Sequence, residues 1–68
     1  MPIIEVNMLE GRTVSQKRAM VAAITDSVVA TLGVPPDSVR VLIREMHPEH
    51  FAVGGVTKAQ SAGQAPNA

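Results

Sequence analysis

The chain has no cysteine, no tryptophan and no tyrosine, and Phe51 is its only aromatic residue. Without thiols there can be neither disulfides nor thiolate metal sites. Lys and Arg number six against six Asp and Glu, for a formal net charge of zero. With no basic excess and no aromatic platform, nothing points to nucleic acid. No apolar run approaches the roughly 20 residues of a membrane helix. The N-terminus has no charged segment leading into an apolar stretch, so no secretory signal is read. The expectation is a cytoplasmic protein with no nucleic-acid or membrane partner.

Length is also scarce. At 68 residues the chain is one domain at most. Domains of this size hide only about 60% of the surface that their unfolded chains expose. Disulfides, metals and oligomerisation are the usual remedies, and the first is excluded. Yet 46% of the residues are hydrophobic. That apolar content needs cover, and a homo-oligomer is the remedy left.

What is present reads as an ordered series of elements. Residues 3–9, "IIEVNML", alternate. Ile4, Val6 and Met8 share one strand face; Ile3, Glu5, Asn7 and Leu9 share the other. "EGR" breaks the pattern. Thr13 and Gln16 then have the spacing of a capping box. Val14, Val21, Ile24, Val28 and Leu32 follow at helical spacing, widened by Met20 and Val29. Gly33 stops the helix and Pro35 and Pro36 cannot extend it, which gives a helix over 14–32. Residues 38–46, "SVRVLIREM", form a second strand, with Val39, Val41 and Ile43 on one face and Arg40, Leu42, Arg44 and Met46 on the other. "HPEHF" reads as a turn or short 3₁₀ piece, and "AVGGV" as a small hairpin bending at Gly54-Gly55. From Lys58 onward the chain is small and polar and reads as a disordered tail, residues 58–68. The fold class is therefore α+β: a β-α-β unit with a small C-terminal hairpin and a parallel two-stranded sheet. One helix covers one sheet face. Ile3, Leu9, Leu42 and Met46 lie on the other, where a partner copy is the simplest cover.

Few groups here can do chemistry. His47 and His50 sit three apart in a proline-containing turn, and a metal site needs more ligands than that. Neither a metal nor a cofactor is expected. Pro2 lies directly behind Met1. It is harmless at a strand head; if Met1 is trimmed, it also carries a free secondary amine. Arg12 lies just before a helix N-terminus, where the macrodipole disfavours a cation. Arg40 shares a strand face with Leu42 and Met46, either as a solvated or ion-paired edge or as a ligand clamp. Arg44 is a further cation on the same strand face.

"MPIIEVNMLEGRT", "SVRVLIREM" and "HFAVGG" together resemble the 4-oxalocrotonate tautomerase family over residues 2–57. The resemblance implies a β-α-β protomer that pairs into a four-stranded sheet, with three such dimers forming a hexamer. It implies that Pro2, freed of Met1, is the general base. Arg12 and Arg40 would hold and polarise a small dicarboxylate, drawn into the pocket from neighbouring subunits. Phe51, Leu9 and Val53 would line the pocket. The implied reaction moves a proton in unsaturated 2-hydroxy or 2-oxo dicarboxylic acids, from 2-hydroxymuconate to 2-oxo-3-hexenedioate. An apolar pocket and nearby guanidinium groups would both lower the proline pKa, favouring the free base. The alternatives are a proline-dependent hydratase, dehalogenase or decarboxylase of small unsaturated acids, or a non-catalytic oligomeric module that retains Met1.

Overall fold

Seven residues of alternating polarity form the first strand, β1 (Ile3–Leu9). It pairs in parallel with β2 (Arg40–Met46), in a register running from Ile3 opposite Arg40 to Leu9 opposite Met46. Helix α1 (Val14–Leu32) makes the crossover between them. The computed structural model describes residues 1–63. Ile4, Val6 and Met8 are half-buried together with Val41 and Ile43, whereas Ile3, Glu5, Asn7, Arg40, Leu42 and Arg44 are exposed on the other face. The period-two pattern thus separates a helix-covered face from an open one.

The ends of α1 are set by local chemistry. Thr13 Oγ1 accepts the Gln16 N–H at 3.1 Å, and Gln16 Oε1 accepts the Thr13 N–H at 3.0 Å. This reciprocal box satisfies two of the orphan donors of the first turn. At the other end Gly33 takes the left-handed conformation, φ 68°, and its N–H bonds to the Val29 carbonyl at 3.0 Å. A side chain at that φ would be strained. Met20, Val21, Ile24, Val28 and Val29 are half-buried along one stripe. Val14 and Leu32, expected on the same stripe, are 57% and 60% exposed. Both stand at the very ends of the 19-residue helix, Val14 its first residue and Leu32 its last.

Two boundaries differ from the sequence reading. β2 begins at Arg40, not at residue 38, because Pro36–Ser38 form a 3₁₀ turn with Ser38 N–H bonded to the Pro35 carbonyl at 3.1 Å. The expected disordered tail does not begin at residue 58. Lys58–Ser61 form a short helix, α2, behind the hairpin of β3 (Ala52–Val53) and β4 (Val56–Thr57). Thr57 and Gln60 make a second capping box, and Ala59 is buried. The rest of the expected tail, 64–68, lies outside the described residues. The 3₁₀ turn Pro48–His50, the hairpin and α2 pack mainly on one another, as an arm extending from the end of β2.

A lone copy covers itself poorly. Among the described residues Ala59 alone is buried, and it lies in the arm. The accessible surface is 5070 Å², where a compact chain of this mass exposes about 4100 Å². On the open sheet face Ile3 is 59% and Leu42 45% exposed.

Candidate active site

The six residues expected to form the site fall into two groups at opposite ends of the sheet. At the head of β1, the Pro2 carbonyl accepts the Arg40 N–H at 3.0 Å. The bond uses the only ladder group that proline offers, so Pro2 sits there without cost to the pairing. Arg40 opens β2, and its Nη1 donates to the Asp37 carbonyl at 2.7 Å. The same 3₁₀ turn that delays the strand therefore anchors the guanidinium. Pro2 is half-exposed and Met1 is exposed.

Leu9 ends β1 about 20 Å from the Pro2 end, by strand rise. There the Glu10 N–H extends the pairing to the Met46 carbonyl at 3.0 Å. Gly11 and Arg12 then turn into α1, and Arg12 borders an open depression with Met8, Leu9 and Glu10. The first turn of α1 has no acidic residue to balance Arg12. The chain leaves β2 at this same end to form the arm that carries Phe51 and Val53. Phe51 is half-buried, whereas Val53 is 68% exposed. Lys58 stacks its ammonium 5.9 Å from the Phe51 ring centroid, and its N–H bonds to the Phe51 carbonyl at 2.8 Å.

The remaining charged residues have other partners. Lys17 reaches Glu45 at 3.0 Å on the helix-covered side. Arg44 pairs with Glu5 of its own chain at 3.7 Å on the open face. His47 Nδ1 accepts the Glu49 N–H at 3.0 Å, which caps the turn. No three His, Cys, Asp or Glu among the described residues are grouped to hold a metal. A groove between α1 and β2 is lined by Val14, Lys17, Arg18, Val21, Ile43 and Glu45, none of them an expected site residue. Lys58 had no place in the sequence reading, because it fell in the expected tail. The spacing Thr57-x-x-Gln60, the same as at Thr13, was the signal that an ordered helix begins there.

Strand, crossover helix, parallel strand and terminal hairpin, with a proline at the head of the first strand, define a class. The family described as tautomerase enzyme matches residues 2–61, and the chain belongs to it. Among the solved relatives, a 4-oxalocrotonate tautomerase isozyme structure from Methylibium petroleiphilum is 60% identical, with a TM-score of 0.87 over 91% of this chain and 97% of that one. A heterohexamer 4-oxalocrotonate tautomerase from Chloroflexus aurantiacus is 37% identical, with a TM-score of 0.83 over 88% of this chain and 97% of that one. A probable tautomerase of Ralstonia nicotianae is 48% identical over 59 residues, covering 87% of this chain and 84% of the relative. No helix among the described residues is long and apolar enough to cross a membrane.

Proposed function

We propose that this tautomerase moves a proton within unsaturated 2-hydroxy or 2-oxo dicarboxylates, with Pro2 as the general base. Removal of Met1 converts the Pro2 nitrogen from a tertiary amide into a secondary amine. That amine takes the proton from the 2-hydroxyl of 2-hydroxymuconate. As the O–H bond breaks, the C2–O bond becomes a carbonyl and the electron pair moves through the diene. The protonated amine returns its proton to C5, which gives 2-oxo-3-hexenedioate. Arg12 and Arg40 bind carboxylate and 2-oxo oxygens; a guanidinium grips a carboxylate through two parallel N–H bonds and stabilises charge developing on an enolate oxygen. Leu9, Phe51 and Val53 supply the apolar wall that keeps the amine neutral.

One observation carries this reading. Pro2 and Arg40 lie at one end of the sheet, and Leu9 and Arg12 at the other, where the arm with Phe51 and Val53 begins. A single copy cannot close a pocket around one small acid. Copies packed on the open face and along the arm can, and a hexamer of three dimers is the assembly we propose. The Methylibium and Chloroflexus relatives support the substrate class, and the latter the hexameric assembly. The test is an ultraviolet assay with 2-hydroxymuconate on protein whose intact mass shows Met1 removed. Pro2→Ala should lose about 10²–10⁴ in rate, the range of a general base, while its sedimentation is unchanged. Full activity in Pro2→Ala would remove the role of Pro2. Activity with Met1 retained would remove the free amine.

A further inference from the structure

Arg40 is aimed by a turn whose closure uses one side-chain hydroxyl. Its Nη1 donates to the Asp37 carbonyl at 2.7 Å, and its backbone N–H donates to the Pro2 carbonyl at 3.0 Å. One residue thus carries both an anchored guanidinium and the bond that seats the proline. The Asp37 carboxylate takes no part: no ion pair joins it to Arg40 among the described residues. What counts at position 37 is the direction of a backbone carbonyl. A guanidinium held in this way is only as well placed as the peptide unit that holds it.

The turn fixes that peptide unit from both sides. Ahead of it, Pro36 has a ring-locked φ. A residue before a proline is pushed to extended backbone, and Pro35 lies there at φ −66° and ψ 147°. Behind it, Ser38 closes the turn. The Ser38 N–H and hydroxyl both donate to the Pro35 carbonyl, at 3.1 and 2.7 Å. The Val39 N–H then reaches the Pro36 carbonyl at 3.2 Å. Short 3₁₀ turns have poorly aligned backbone bonds, so the hydroxyl adds a second tie across the same span. Ser38 is half-buried, which partly shields that tie from water.

We propose that Ser38 is a positioning residue for Arg40: its hydroxyl, tied to the Pro35 carbonyl, holds the Asp37 carbonyl where it fixes the guanidinium. The inference rests on the reading above in one respect only, that Arg40 binds the substrate. A free arginine side chain samples many rotamers, and that freedom is lost when it grips a carboxylate. A guanidinium already fixed at one nitrogen loses less on binding, which is preorganisation. Ser38 itself does not touch the substrate. Its effect passes through the Asp37 carbonyl and the Arg40 side chain in turn.

Two readouts on the assembled, methionine-processed full chain test this. The first needs no substrate. In nitrogen NMR spectra the Arg40 guanidinium, identified by its loss in Arg40→Ala, should show restricted rotation in the wild type. In Ser38→Ala that rotation should be freed and the Nη signals averaged. Ser38→Thr keeps a hydroxyl and should keep them apart. The second readout is turnover of 2-hydroxymuconate. Ser38→Ala should lower kcat/KM about two- to tenfold, the range for one net hydrogen bond, with unchanged sedimentation. In an Arg40→Ala background the same change should have no further effect, because the side chain through which it acts is gone. A freely rotating guanidinium in the wild type, unchanged Arg40 signals in Ser38→Ala, or an equal loss in both backgrounds would each overturn the inference. Freed Arg40 signals in a protein whose turnover is indifferent to Arg40→Ala would keep Ser38 as the anchor of that side chain and remove Arg40 from the tautomerase reading.

Discussion

Arg40 and Lys17 show why cations of similar appearance in a sequence part company in the fold. Lys17 lies on the covered side and meets Glu45 at 3.0 Å, with both side chains partly shielded. Such a bridge contributes at most about 1 kcal/mol, and it settles the misplaced charge in the early helix without any ligand. Arg40 has no acidic partner of that kind among the described residues; one of its nitrogens is fixed by the Asp37 carbonyl. The rest of the guanidinium fork has no hydrogen-bond partner among the described residues. Arg40→Lys keeps the charge and loses the planar fork. On the proposed reading kcat/KM for 2-hydroxymuconate should fall at least about tenfold, or roughly 1.4 kcal/mol, and steady-state kinetics on the two proteins will show it. An unchanged value would mean that a point charge suffices at this position. Arg12 stood out against the helix dipole, whereas Pro2 and Arg40 also had ordinary structural readings and only the family resemblance singled them out. Lys58 was not legible at all, since a lysine among small polar residues looks like any solvated tail residue until the helix beneath it is seen.

The two helices differ in how openly the chain announces them. α1 carries a capping box, a long apolar stripe and a terminating glycine, so its bounds of 14–32 follow from residue order alone. α2 has the same box at Thr57 and Gln60 but only four residues, too few for any periodicity to emerge. Its stability comes from Ala59 and from Glu49 across the turn, contacts that composition does not reveal. The start of β2 was hidden for a related reason: "PDS" can begin a strand or close a 3₁₀ turn, and the carbonyls of Pro35 and Pro36 decide it. Removing each Thr cap should have different effects. Thr13→Ala should lower stability by about 1 kcal/mol, seen as a lower thermal midpoint. Thr57→Ala also loses the bond to Glu49. Hydrogen exchange at the amides of residues 58–61 should then rise well above the wild-type rate while α1 stays protected. Protection that persists at 58–61 would show that Ala59 alone seats the helix.

At the level of the whole molecule, the open sheet face and the arm decide the behaviour. Alternation made the apolar residues of that face legible, and the shortage of core raised the expectation of a partner. The number of partners is not written in the periodicity, because an apolar strand face calls for cover without saying how many copies would give it. Leu42, exposed at the centre of the face, is the most direct probe. Leu42→Asp should move the sedimenting species to a smaller size and lower the thermal midpoint, since a buried unpaired carboxylate costs several kcal/mol. A variant that sediments like the wild type would show that this face stays wet. If the face is covered, unfolding is coupled to dissociation and the midpoint should rise with protein concentration.

On the proposed assembly, the distance between the two ends of the sheet also governs how defects combine. Where every reaction centre is stitched from different chains, a blemish at the proline end and a blemish at the arginine end need not fall in the same crevice. A mixed population of two individually silent variants would then contain some fully furnished crevices, and one faulty copy would harm its neighbours before it harmed itself.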